Sequence, residues 1–368
     1  MELNTIPEAI EAIAKGELVV VVDDTDRENE GDLIMAASKA TPEKIAFMIR
    51  HTSGILCVPM LPERAARLNL QPMVANNLDP LRTAFTVSVD YKVGMTTGIS
   101  AEERANTARA LANDNCDGSD FIRPGHMFPL IARPGGVLTR SGHTEAAADL
   151  ARLARLEPVG VLAEVVNDDG TVKRLPQLLE FARVHGLKIV TIEDLIQYRI
   201  RTEKFIDLVG EKEVAIGGLP VTIQAYRTPF DAMHHVVVIV GDVFDGKDVP
   251  CRIHREHPVS DLVARMSQSR TWLEVALDRF RELGRGVLVL VRNPVAEELG
   301  ADGIEDREGE THGSARQRIQ RWREIGVGAQ ILRQIGVRSI ALLATREQHY
   351  VGLGGFGIEI TRTIRVDE

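Results

Sequence analysis

Apolar positions in the first half of the chain fall into short continuous runs and spaced, amphipathic segments. Leu18–Val22 is an unbroken, largely β-branched run, the pattern of a strand buried on both faces. Thr41-Pro42-Glu43 predicts a helix start, with Thr as N-cap and Pro at the first helical position. Ser100 to Glu103 forms a capping box that opens a second helix to about Ala112. The Ala- and Leu-rich segment after His143 predicts a third helix. Gly160–Val166 reads as a strand closed by the turn Asn167 to Gly170, and Leu175–His185 as a helix stopped at Gly186. Leu187–Thr191 is a strand, and Ile192–Tyr198 begins another helix. Strand patterns resume at Val221–Tyr226, Val236–Val240, Val287–Val291 and Ile340–Leu343, with helical segments near 258–283 and 314–335.

Between these two series lies Tyr198–Lys212, charge-rich and without a clear sheet pattern, where a domain boundary is expected. The 368 residues also fit two domains at about 150 residues each. Both halves mix α and β layers, so the expected fold class is mixed α/β (α+β). No repeat or low-complexity tract interrupts either half.

Charge and cysteine content narrow the function. The chain has 44 Lys+Arg against 53 Asp+Glu, a balance of −9 that disfavours nucleic-acid and anionic-membrane surfaces. Cys57, Cys116 and Cys251 form no paired motif, which excludes a disulfide scaffold and disfavours a thiolate zinc site. The N-terminus has no apolar secretory core, and the longest apolar runs are five residues against the roughly 20 of a membrane span, so a cytoplasmic protein is expected.

Residues 23–32, DDTDRENEGD, hold six carboxylates in ten positions, with Arg27 among them. If extended, the segment points Glu28, Glu30 and Asp32 to one face, an oxygen-ligand patch suited to a hard cation such as Mg²⁺. Arg27 can hold a substrate oxyanion or keep the carboxylates ionised. A solvated acidic loop is the bland reading. A D-x-D phosphotransfer motif fits poorly, because Glu28 stands where Thr or Val belongs.

Arg140-Ser141-Gly142-His143-Thr144 precedes the third helix, and free N–H groups at a helix start attract phosphate. Arg140 adds a forked donor, Thr144 a hydroxyl and Gly142 close backbone approach. His143 can ligate a metal, move a proton, or simply cap the helix. His126 is expected in a rigid turn. Glu164, inside the apolar run VLAEVV, needs a partner or a raised pKa unless it faces outward. Cys57 reads as a small buried apolar residue.

Together, DDTDRENEGD, TTGISAEERANTARAL, RPGHMFPLIARPGGVLTRSGHTEA and GVLAEVVNDDGT resemble the 3,4-dihydroxy-2-butanone 4-phosphate synthase family across nearly all of residues 1–200. The resemblance implies that family's fold, a homodimer with sites near its interface, Mg²⁺ (or Mn²⁺), and conversion of D-ribulose 5-phosphate to 3,4-dihydroxy-2-butanone 4-phosphate and formate in riboflavin biosynthesis. It implies that Glu28 and His143 bind metal and that Arg27, Asp32 and Glu164 contact the sugar. It also implies that Arg140, Ser141, Gly142, His143 and Thr144 cradle the phosphate, and that His126 and Glu164 are essential for catalysis. Which carboxylate takes the first proton stays open: Asp32, with Glu28 or Glu30, are the candidates.

From about 207 to 368 the chain resembles a GTP cyclohydrolase II domain, best in GVGAQILRQIGVRSIALLAT and GFGIEI. The expected division is 1–203 and 207–368. The departures are chemical. His257 stands where the family's first zinc cysteine belongs, and Arg265–Arg270, the C-x-C region, holds no cysteine. Cys251, His254 and His257 make a weak replacement set. Arg292-Asn-Pro-Val-Ala-Glu and Thr345-Arg-Glu-Gln348 replace the family's Arg-rich glycine and Asn-Asn-Pro-Lys segments. A cyclohydrolase-like fold without zinc chemistry is therefore expected. The competing readings are a bifunctional enzyme and a non-catalytic phosphosugar or nucleotide sensor, the latter disfavoured by an intact metal and proton-transfer set.

Overall fold

The computed structural model describes residues 3–24, 27–229, 233–256, 258–266, 271–292, 313–344, 353 and 357–366. The chain forms two compact units, Met1–Arg199 with Gly309–Ile319, and Ile200–Glu308 with Gln320–Glu368.

The first unit is built on a seven-stranded sheet. Its strands are β1 Val19–Val22, β2 Gly31–Ala36, β3 Cys57–Met60, β4 Val89–Tyr91, β5 Phe121–Ile131, β6 Gly160–Glu164 and β7 Lys188–Thr191, in the order β4-β5-β3-β6-β2-β1-β7. β1 pairs parallel with β7 and β3 with β5, while β1–β2 and β2–β6 are antiparallel. All four residues of β1 are buried, as its continuous apolar run demands.

The helices start where their caps are. α1 (Ile6–Lys15) carries the Thr5/Glu8 capping box and ends at Gly16 in the left-handed conformation. α2 (Pro42–His51) starts after Thr41, whose hydroxyl accepts from the Lys44 N–H. α3 (Pro62–Arg67) is a short turn, and α4 (Ala101–Leu111) carries the Ser100/Glu103 capping box. α5 (His143–Leu153), α6 (Leu175–His185) and α7 (Ile192–Thr202) complete the unit's helices.

Strand alternation sorts the side chains. Val20, Val22, Leu33, Met35, Val161 and Ala163 join one core with Ile45 and Met48 of α2, Ala105 and Leu111 of α4, and Leu178 and Ala182 of α6. The intervening positions, Val21, Asp32, Ile34, Leu162 and Glu164, therefore face the other side, where α1 and α5 pack.

The second unit has its own seven-stranded sheet: β8 Asp207–Ile216, β9 Leu219–Arg227, β10 His235–Val240, β11 Val249–Arg255, β12 Gly286–Val291, β13 Ser339–Ala344 and β14 Glu359–Arg365. The order is β14-β13-β11-β12-β10-β9-β8. Helices α8 (Pro258–Met266) and α9 (Trp272–Leu283) accompany it, and α10 (Gly313–Gln334) belongs to this unit from Gln320 onward. Val275, Ala276, Leu277 and Phe280 of α9 pack on Val221, Val238, Val240 and Leu288.

The structure departs from the sequence pattern at two places. Tyr198–Lys212 is not unpatterned: α7 runs on to Thr202, and β8 begins at Asp207. β8 is an edge strand whose first seven residues are exposed, so it carries no apolar alternation to read. His126 does not sit in a turn but inside β5.

Candidate functional site

The residues of interest gather where β1 and β6 end, β2 begins, and α5 starts on the same face of the sheet. The chain between β1 and β2 is a folded loop, not the extended segment expected from sequence. The Arg27 N–H donates to the Asp24 carbonyl, and Asn29 adopts a left-handed φ of 55°.

Asp23 explains this shape. Its carboxylate accepts the backbone N–H of Glu28 at 3.1 Å and of Glu30 at 2.9 Å, and the Arg27 guanidinium at 2.9 Å. Asp23 and Arg27 are both buried. The loop thus closes around a buried ion pair, and Arg27 also contacts the Glu28 carboxylate. Asp23 has no separate role in the sequence reading. Its density-mates marked the region, but nothing local distinguishes the acidic residue that turns inward.

His143 is the first residue of α5 and is 7 % exposed. Its Nε2 lies 3.1 Å from the Val21 carbonyl, which requires a proton on Nε2 to form that bond. Nδ1 faces carboxylates, Glu28 at 3.8 Å and Asp32 at 3.9 Å. Burial lowers the His143 pKa, but the Asp32 charge and the Glu28 carboxylate outweigh it and raise it to about 9, so the Nδ1 proton is one that a bound cation would displace. Asp23, Glu28 and His143 each offer an atom within 4.8 Å of one another. The buried Asp32 Oδ1 has no hydrogen-bond partner among the described residues. A neutral imidazole whose second nitrogen is held by a carbonyl is the usual metal-ligand arrangement. With a carboxylate opposite and an orphaned carboxylate oxygen beside it, this donor set fits a hard divalent cation.

The electrostatics follow from burial and from these neighbours. Burial opposes the Glu28 carboxylate, but the His143 imidazole and the Arg27 guanidinium outweigh it and hold its pKa at about 2. Burial pushes Asp32 up to about 8, against the pull of His143. Burial followed by the Glu28 charge raises Glu30. Glu164 stands opposite Asp32 in the β2–β6 ladder, so their side chains share a face. Its carboxylate accepts the Ser53 hydroxyl at 2.6 Å, the partner that an apolar strand required. Cys57 is buried in β3, and desolvation raises its thiol pKa.

The 140–144 segment does start α5, with Gly142 as N-cap. Ser141 and Thr144 are buried beside the helix start, and the Ser141 Oγ has no partner among the described residues. Arg140 is engaged within the protein: it donates to Glu145 at 2.8 Å and to the Leu81 carbonyl at 3.0 Å. Glu145, buried in α5, also accepts the Arg133 N–H at 2.9 Å. It thus fixes both ends of the loop before the phosphate segment, a role with no sequence signal of its own.

His126 stands apart. Its Nδ1 is 2.7 Å from Asp90, which also accepts the His126 N–H at 2.8 Å. β3 and β6 separate β5 from β2, so three strand spacings, roughly 14 Å, lie between His126 and Asp32 in one chain.

In the second unit, Cys251 is buried in β11, and His254 stacks on Trp272 with centroids 3.6 Å apart. Asp261 lies 3.4 Å from His254 Nε2 and accepts the Trp272 N–H at 2.9 Å. His257, Ser267 to Arg270, 293–297 and 345–348 lie outside the described residues.

Comparison with known proteins joins both halves. Residues 7–198 match the 3,4-dihydroxy-2-butanone 4-phosphate synthase family, and residues 211–365 match GTP cyclohydrolase II. The chain is 45 % identical over 363 residues to the monofunctional riboflavin biosynthesis protein RIBA 2 of Arabidopsis thaliana, covering 97 % of this chain and 76 % of that protein. It is 44 % identical over 369 residues to the bifunctional RIBA 1 of the same plant, covering 97 % and 68 %. The crystal structure of RibBX, a two-domain 3,4-dihydroxy-2-butanone 4-phosphate synthase from A. baumannii, superposes with a TM-score of 0.76 at 35 % identity, over 98 % of this chain and 99 % of that one. A 3,4-dihydroxy-2-butanone 4-phosphate synthase in complex with two magnesium ions matches 54 % of this chain and 98 % of its own, at 47 % identity and a TM-score of 0.53.

Proposed function

Because this chain belongs to the 3,4-dihydroxy-2-butanone 4-phosphate synthase family and is an enzyme of riboflavin biosynthesis, we propose that its synthase domain, residues 1–203, converts D-ribulose 5-phosphate to L-3,4-dihydroxy-2-butanone 4-phosphate and formate with Mg²⁺ (or Mn²⁺) bound by Glu28 and His143. The observation that carries the reading is the convergence of Asp23, Glu28 and His143 with the second His143 nitrogen tied to Val21. Asp23 serves the site as an anchor, because backbone N–H groups already occupy both of its oxygens.

A divalent cation held there supplies Lewis-acid stabilisation to oxygens of the sugar that gain negative charge. The chain supplies the rest. Asp32, Glu30 and Glu164 face the same space and provide carboxylates to take and return protons as the carbon beside the ketone is deprotonated. Ser141, Thr144 and the N–H groups at the start of α5 bind the phosphate, far enough from the reacting carbons to fix orientation alone. Arg27 balances the negative charge of Asp23 and Glu28.

His126 enters from a second copy of the chain, since its own strand holds it too far from Asp32. Exposed Met73, Val74, Leu78, Val93, Ile99 and Ile122 lie on the segments around β4 and β5 and give a homodimer an apolar contact. No helix among the described residues is long and apolar enough to cross a membrane, and a cytoplasmic location is part of the proposal.

The cyclohydrolase-like domain, residues 207–368, keeps that fold without its zinc. The sequence has no cysteine after Cys251, and Cys251 is buried within a strand. Similar identity to a monofunctional and to a bifunctional relative does not separate the two readings; the missing thiolates favour the first.

The test is formate release from ribulose 5-phosphate with and without Mg²⁺. Wild-type protein should release formate only with metal, and Glu28→Gln and His143→Ala should abolish release while remaining folded. Turnover near wild type in either variant at excess Mg²⁺ sinks the assignment. Zinc-dependent formate release from GTP sinks the reading of the second unit.

A further inference from the structure

We propose that Arg174 is a positioning residue for Glu28, clamping the 23–30 loop from the face of the sheet opposite His143. The inference rests on the reading of Glu28 as a cation ligand. Arg174 precedes α6, and its Nη1 donates to the carbonyl of Glu28 at 2.6 Å and of Asn29 at 2.5 Å. Its charge lies 3.9 Å from the Glu30 carboxylate.

From Glu28 to Glu30 every backbone N–H and C=O group is partnered because of this contact. The N–H groups of Glu28 and Glu30 go to Asp23, and the Asn29 N–H goes to the Asp24 carbonyl at 3.2 Å. The Glu30 carbonyl accepts the Asp23 N–H at 3.2 Å. The two remaining carbonyls, those of Glu28 and Asn29, are held by Arg174. Asp23 therefore grips the loop through its amides and Arg174 through its carbonyls, and the Glu28 side chain is left aimed at His143.

The base of the clamp is itself fixed. Leu178, one turn into α6, is fully buried and packs on Gly31, where an added Cβ would come within 2.5 Å of it. Gly31 adjoins Asp32, so α6 touches the loop at its tip and at its end. A donor this far along the chain sets the geometry of a ligand it does not touch, as outer-shell partners of metal ligands do.

Arg174→Ala should fold. The Arg174 side chain is 44 % exposed, and the first turn of α6 is capped by the backbone N–H of residue 174 donating to Gln177, which the substitution keeps. Mn²⁺ binding is followed by electron paramagnetic resonance in wild type, Arg174→Ala and Arg174→Lys. Hydrogen–deuterium exchange of residues 23–31 is measured on metal-free protein. Arg174→Ala should weaken Mn²⁺ binding about tenfold or more and speed exchange at 28–30, with Arg174→Lys intermediate in both. Mn²⁺ affinity of Arg174→Ala within twofold of wild type overturns the proposal. Wild type that binds no Mn²⁺ removes the cation reading instead, and unchanged exchange at 28–30 then overturns the clamp on its own.

Discussion

Gly31 is where the loop, β2 and α6 meet, and Gly31→Ala is the sharpest test of that packing. The Gly31 backbone needs no left-handed conformation, so an alanine brings no backbone strain. The cost is steric. Its Cβ would lie 2.5 Å from Leu178 Cδ1 and 3.0 Å from Cδ2. Carbon atoms in good contact sit about 3.5–4.0 Å apart, so one side must give by about 1 Å. Leu178 has no exposed surface through which to retreat. Overpacking of this kind costs about 1–3 kcal/mol. For a unit of this size each kcal/mol lowers Tm by about 2–4 °C. Leu178→Ala alone should cost about 2–5 kcal/mol, but it vacates the space the new methyl needs. In that background Gly31→Ala should cost at least about 1 kcal/mol less than in wild type. Trp272 and Trp322 both fall in the second unit, so tryptophan fluorescence does not follow this unfolding. Scanning calorimetry with the four members of the cycle does. Additivity within about 0.5 kcal/mol would refute the packing argument.

Two further predictions concern the frame of the site. Asp149 accepts the Val137 N–H at 2.8 Å and the buried Arg199 guanidinium at 2.7 Å, so Asp149→Ala removes two buried hydrogen bonds, one of them charge-assisted, and should cost about 2–4 kcal/mol; a loss under about 1 kcal/mol in calorimetry contradicts this. Glu103 accepts the N–H groups of Thr96, Thr97 and Ser100 and both hydroxyls of Thr96 and Ser100, and these bonds hold its carboxyl well below the usual range. A carboxyl with a depressed folded pKa contributes stability that is full above its unfolded pKa of about 4.3 and fades as pH falls through the folded value. The Tm gap between wild type and Glu103→Gln should therefore be full at neutral pH and shrink below about pH 4; a gap independent of pH refutes the assignment.

What the sequence revealed and what it hid divide along physical lines. Helix starts were legible because capping is local: Thr41 and Ser100 cap where the pattern placed them. β1 was legible because burial on both faces leaves an unbroken apolar run. β5 was not, because Pro124, Gly125 and Pro129 speak against a strand, yet its length is set by neighbours on both sides, including a close approach of Gly125 to Val89. The density of acid at 23–32 marks the region of the candidate site but not its geometry. Period-two alternation applies to an extended chain, and Asp23 instead folds the loop by accepting its amides. Arg174, Glu145 and Asp90 were invisible for a common reason: each acts on a partner from a distant element or a neighbouring turn, and none has a composition or spacing that marks it.

A single divalent cation is the centre of the proposed chemistry. Crystals of the full chain grown with Mn²⁺ and measured at an energy where manganese scatters anomalously should show a peak between the Glu28 carboxylate and His143 Nδ1, with Asp32 beside it. A peak elsewhere, or Glu28 and His143 turned away from one another in a manganese-loaded crystal, would contradict it.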